Sequence, residues 1–167
     1  MHTRADARRD RNVLAAWALS VADTVRVASE ESTGLSGAAP AGLVAVVADP
    51  GMSIDELRRV LDLTHPGTVR LVDRLVDRGW VRRVRGVGRT LRLEPTTAGR
   101  RAERRLAAHR EEALAHRLAV LTDTDLATLA RLVDPVLART TDDREAMRRL
   151  CRLCDRKACA PCPVEAS

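Results

Sequence analysis

Between Ser53 and Gly99 the chain changes its hydrophobic period three times, and the segments on either side must fit around that stretch. It reads SIDELRRVLDLTHPGTVRLVDRLVDRGWVRRVRGVGRTLRLEPTTAG. Ser53, with Glu56 three residues on, is a capping box that satisfies orphan helix N–H groups reciprocally. Ile54, Leu57, Val60 and Leu61 then recur on one helical face. Leu63 falls at a turn and Thr64 stands as the next N-cap. Pro66 lies in the first turn, where its missing N–H does no harm. In the helix that follows, Val69, Val72, Leu75 and Val76 share the inner face, while Gly67, Arg70, Asp73, Arg74 and Asp77 share the outer one. Gly79 ends it. Residues 80–85 and 89–94 read as two strands about a Gly86-Val87-Gly88 tip, with Leu91 and Leu93 inward and Arg92 outward. Helix, turn, helix and hairpin in that order form the pattern of a winged helix-turn-helix, a unit that lays one helix in a DNA groove.

Charge supports that reading. Residues 1–50 hold five Arg against six Asp/Glu, residues 51–105 hold fourteen Arg against seven, and residues 106–167 hold ten Lys/Arg against ten. The net +6 of the chain therefore arises wholly in its middle third. A positive patch confined to one segment is the electrostatic footprint of phosphate binding. A general arginine bias, suggested by Lys157 being the only lysine, would not concentrate the excess in one place. Two Trp and no Phe or Tyr exclude the stacking platforms of single-strand binders, and they make the core aliphatic.

The flanks read as helices. Leu14, Trp17, Ala18, Val21, Val25 and Ala28 form one stripe over residues 11–31, preceded by a flexible arm at 1–10. A second helix starts near Pro40, buries Leu43, Val44, Val46 and Val47, and stops at Asp49-Pro50-Gly51. Thr96 or Thr97 begins a long helix to about Leu121, with Leu106, Ala113, Leu114, Leu118 and Leu121 on one side. Thr122 with Asp125 marks another start, and Pro135 should bend the helix that follows. Met147 and Leu150 point inward from a last segment. The fold class is thus mainly α with a small β-hairpin wing. We divide it into an N-terminal arm and dimerisation helix (1–35), the winged helix-turn-helix (36–100), C-terminal dimerisation helices (101–150) and a cysteine-rich tail (151–167). The longest apolar run, Ala41 to Ala48, is too short to span a bilayer, and no secretory core follows the N-terminus. The expected setting is a reducing cytoplasm.

The stretch LDLTHPGTVRLVDRLVDRGWVRR, the wing GVGRTLRLEPTTAGRR and the helices on both sides resemble the MarR family of bacterial transcriptional regulators, over roughly residues 11–150. The resemblance implies a homodimer whose two winged helices read the half-sites of a near-palindromic double-stranded DNA operator. It places Thr64, His65, Gly67, Thr68, Arg70 and Arg74 on the recognition helix. Arg70 is the candidate for a bidentate guanine contact. Arg89 matches the wing-tip arginine that enters the adjacent minor groove, and Arg85 lies on the strand leading to it. Where the family often carries an Asp two residues before that arginine, this chain has Val87. The resemblance also implies that a small organic effector can bind between dimer and DNA-binding regions.

The remaining sharp feature is Cys151-x2-Cys154-x4-Cys159-x2-Cys162, which holds every cysteine of the chain. An x2 gap lets two sulfurs face one ion, so paired CxxC units suit tetrahedral zinc. An iron–sulfur cluster and a thiol–disulfide switch remain alternatives. Its position after the expected dimer helices places the array beside them, where metal or redox state would couple to DNA affinity. A CxxC oxidoreductase is disfavoured, because those enzymes carry the motif at a βα turn and this one follows a helix. There is no GxSxG elbow. His109 and His116, two turns apart, have no matching carboxylate or cysteine pattern.

Overall fold

The computed structural model describes residues 4–86, 90–139, 143–155, 158–159 and 162–164. Helix α1 spans Arg4–Thr33, α2 Ala39–Ala48, α3 Ile54–Leu61 and α4 His65–Asp77. Strands β1 (Met52–Ser53), β2 (Val81–Arg85) and β3 (Leu91–Pro95) form an antiparallel sheet in the order β1-β3-β2. Helices α5 (Thr97–Leu118), α6 (Asp123–Ala138) and α7 (Arg144–Leu150) complete the chain.

The helical boundaries follow from their caps. Ser53 accepts from the Glu56 N–H at 3.2 Å while Glu56 accepts from the Ser53 N–H at 2.7 Å, the expected capping box. Thr64 caps α4 by accepting from the Gly67 N–H, and Thr96 caps α5 by accepting from the Gly99 N–H. Thr122 and Asp125 form a second capping box at the start of α6, which runs on through Pro135. The turn between α3 and α4 is made by Asp62 at φ +53°, a left-handed position that a short polar side chain tolerates. Gly79, at φ +66°, terminates α4.

The core lies inside the winged helix. Leu43, Val46, Leu57, Val72, Leu75, Val81 and Leu93 are fully buried and come from α2, α3, α4 and the sheet. Each such side chain contributes about 1.5–3 kcal/mol relative to exposure. Helix α2 is the hub, with every residue from Ala39 to Val46 buried. At Gly42 it meets α4 so closely that a Cβ would stand 2.7 Å from Leu71. Helix α5 starts beneath the wing, where Ala102 and Leu106 are buried, and then packs along α1. His109 contacts Glu31 at 3.5 Å, and Arg117 donates to the Ser20 hydroxyl.

Four expectations are corrected. Residues 4–10 continue α1 and do not form a loose arm. A third strand exists at Met52–Ser53, pairing Met52 with Leu93; two residues are too few to show a period in sequence. Leu93 is buried, but Leu91 on the same face is 46% exposed, because the wing projects past the core there. Leu150 is also exposed at 37%, since α7 lies at the surface.

Candidate nucleic-acid interface

Helix α4 presents its leading end to solvent. Thr64, His65, Arg70 and Arg74 are exposed and Gly67 is half-buried. Its first turn contains no acidic residue, so the positive end of the helix dipole is left for an incoming anion. Thr68 is the exception among the expected contacts. It is completely buried, and its hydroxyl donates to the Thr64 carbonyl at 3.0 Å, so it shapes the first turn instead of reaching bases. Its apolar neighbours Leu71 and Val72 lie on the same inward side, which fixes its direction.

The wing is braced to this helix. Arg83 on β2 donates to Asp73 on α4 at 2.6 Å, which assigns Arg83 to positioning and leaves Arg82 and Arg85 exposed on the strand. Arg92 reaches back to the Gly51 carbonyl and Glu56, linking β3 to the start of α3. Glu56 is held below the usual carboxylate range, chiefly by the Ser53 N–H and hydroxyl, with Arg92 assisting. Asp55 is likewise lowered, first by its hydrogen bond from Arg58 and further by Arg59. Much of the basic excess is thus spent within α3 and the wing, and the exposed arginines of α4 stand out against it. Arg89, Val87 and Gly88 lie outside the described residues.

Two arginines connect α4 to the end of α1. Arg74 donates to the Ser36 carbonyl at 3.3 Å, and Arg78 donates to the Thr33 and Gly34 carbonyls at 3.4 and 3.2 Å. Arg78 also lies over the Trp80 ring, 5.6 Å from its centroid. Helix α1 has no basic residue in its own last turn, so Arg78 supplies the positive charge its C-terminal carbonyls favour. Sequence periodicity does not reveal this role, because the partners are more than 40 residues apart.

The cysteine tail reaches the winged helix as well as the C-terminal helices. Helix α7 packs on α3, and Cys159 senses the Asp134 carboxylate of α6. Arg148 pairs with Asp49 at 3.1 Å and Glu145 with Arg59 at 3.7 Å. Cys151 enters a crevice lined by Val44, Met52 and Val60, and Leu153 packs against the core. These pairs and apolar contacts draw the tail onto the winged helix. All four thiols are free, with Cys154 and Cys159 exposed and Cys151 and Cys162 half-buried. Burial, reinforced by the neighbouring thiols, pushes the Cys151 thiol up to about 12; Cys159 is raised for the same reasons. As placed, no three His, Cys, Asp or Glu side chains among the described residues converge into a metal-ligating group.

These features define a winged helix-turn-helix, with α4 as its second helix and β2 and β3 as its wing. Residues 33–90 match the MarR family model, and the chain carries a MarR-family winged helix-turn-helix. Among solved structures it is similar to the YusO protein of Bacillus subtilis, at 18% identity and a TM-score of 0.68, covering 83% of this chain and 99% of that one. The oxidised form of MarR from E. coli is 23% identical with a TM-score of 0.63, covering 74% and 93%. CouR from Rhodococcus jostii RHA1, solved bound to p-coumaroyl-CoA, is 23% identical with a TM-score of 0.57, covering 78% and 93%. No functionally curated protein matches the chain in sequence. No helix among the described residues is long and apolar enough to cross a membrane.

Proposed function

We propose that the protein is a sequence-specific regulator of transcription, a repressor, that binds double-stranded DNA as a homodimer on a near-palindromic operator. The observation that carries this reading is the exposed α4 surface. Thr64 and His65 stand at the positive end of α4, Arg70 and Arg74 follow along its exposed face, and the helix is braced to a wing within the segment holding the whole charge excess. Arg70 takes the guanine contact, Thr64 and His65 contact backbone and base edges at the helix start, and Arg85 and Arg89 extend the footprint along the wing. Dimerisation is supported by apolar side chains left in solvent on α1 and α6, among them Leu14, Leu19, Leu132 and Val136. A two-fold dimer then sets half-sites about one helical turn apart.

Genomic footprinting of the native protein tests the reading. A protected site with two-fold symmetry over roughly two helical turns is expected, whereas uniform, sequence-independent protection would refute a regulator that reads DNA sequence.

Two inputs are compatible with this output. The thiol tail is one, and its contact with α3 favours it; MarR of E. coli has been solved in oxidised and reduced forms. An organic effector is the other, supported by the p-coumaroyl-CoA bound to CouR. Thermal-shift screening with thiophilic metals and with phenolic or lipophilic compounds separates them.

A further inference from the structure

All four cysteines of the chain fall in the tail that follows α7. Past Leu150 it contains no helix or strand among the described residues, only turns closed by Cys154 N–H to the Cys151 carbonyl at 3.0 Å and Cys159 N–H to the Asp155 carbonyl at 3.1 Å. Yet Leu153 packs on the core and Val164 is only 7% exposed. The four thiols are close neighbours: Cys151 is hydrogen-bonded to Cys154 and feels Cys159 and Cys162, and Cys159 is hydrogen-bonded to Cys162. Paired CxxC thiols suit tetrahedral thiolate coordination.

We propose that Cys151, Cys154, Cys159 and Cys162 bind one thiophilic divalent cation of the zinc class, and that filling the site clasps the tail and α7 onto the α2–α3 face of the winged helix. Binding releases four thiol protons to solvent and forms four sulfur–metal bonds, leaving the site with two net negative charges. Arg148 and Arg152 stand beside Cys151 in the same crevice and offset that charge. Cys154 and Cys159 are exposed, so their side chains can reorient about χ1 without displacing packed neighbours. The clasp reaches the DNA-reading unit directly. Arg148 holds Asp49, the C-cap of α2, and Glu145 holds Arg59 on α3, the helix that leads into α4. The site does not depend on the regulator reading; only its consequence for DNA rests on that reading.

The test uses the full chain, stripped of metal under thiol reductant and titrated with Co2+ and then Zn2+. One Co2+ per chain should give the charge-transfer and ligand-field bands of a tetrahedral thiolate site, and Zn2+ should bleach them. All four thiols should become resistant to alkylation, and amide exchange over residues 144–164 should slow at least tenfold. Cys154→Ser and Cys159→Ser should each abolish the bands while the winged helix melts as before. Absence of bands with the thiols still alkylatable would overturn the site. So would formation of two CxxC disulfides in place of metal binding, seen as the loss of four hydrogens in mass. Operator affinity measured with and without Zn2+ should differ at least tenfold. Cobalt bands accompanied by metal-independent operator binding would overturn the clasp. Failure to bind any DNA in either state would count against the regulator reading, while the cobalt bands still decide the site.

Discussion

Helices α2 and α6 are both rich in apolar residues, yet α2 is buried from Ala39 to Val46 and α6 buries nothing. The difference separates two kinds of folding. The winged helix closes its own core, with α3, α4, α5 and strand β3 of the sheet packed around α2. The outer part of α1 and much of α6 leave apolar side chains in solvent, such as Leu14 at 56% exposure and Leu132 at 59%. One region is a finished unit; the other leaves its apolar face in solvent, as the proposed dimer requires.

The strongest way to break the finished unit is at the junction of wing and α5. A Cβ on Gly99 would meet the Trp80 carbonyl oxygen at 2.0 Å, a backbone atom that cannot step aside. Gly99→Ala should therefore cost about 3 kcal/mol or more, read as a lowered urea midpoint. The exposed apolar face should respond differently. Leu132→Glu should raise the dimer dissociation constant about 100-fold, equivalent to ~2.7 kcal/mol, while the melting of the winged helix is unchanged. Sedimentation velocity across a concentration series distinguishes that from a general loss of structure.

Much of the finished unit was legible from sequence because local signals agree with the tertiary arrangement. Ser53 and Glu56, Thr64, Thr96 and Thr122 cap where their chemistry requires, and Gly79 and Asp49-Pro50-Gly51 end helices as expected. The misreadings of Thr68 and Leu91 share one cause, since burial depends on what lies across the fold. Thr68 was placed among the contacts by the family resemblance, but it is buried on the same side of α4 as Leu71 and Val72. Leu91 looked buried because strand alternation carries no record of where the core stops. The docking of α7 on α3 and the reach of Arg78 to Thr33 are long-range pairings without a periodic signature.

Smaller perturbations sharpen the same contrast. Ser53→Ala removes a capping box inside the cooperative unit and should lower global stability by about 1 kcal/mol. Thr122→Ala removes the equivalent box on exposed α6 and should cost about 0.5 kcal/mol, seen as faster amide exchange in the first turn of α6 and not as a shift of the main transition. The Glu56 carboxylate is stabilised in its charged form, so its contribution is present above its ordinary value of 4.5 and is lost as pH falls through its lowered folded value. Between pH 6 and 3 the urea midpoint of the native chain should therefore fall more steeply than that of Glu56→Gln.

The central claim is that the exposed face of α4 reads DNA, and Arg70 tests it most directly. Fluorescence anisotropy of the footprinted operator should show Arg70→Ala weaker by about 1–3 kcal/mol, with preference relaxed at a single base position and the fold intact. Arg89→Ala should instead weaken binding evenly across sequences. Unchanged affinity and unchanged base preference in Arg70→Ala would contradict the assignment of α4 as the reading helix.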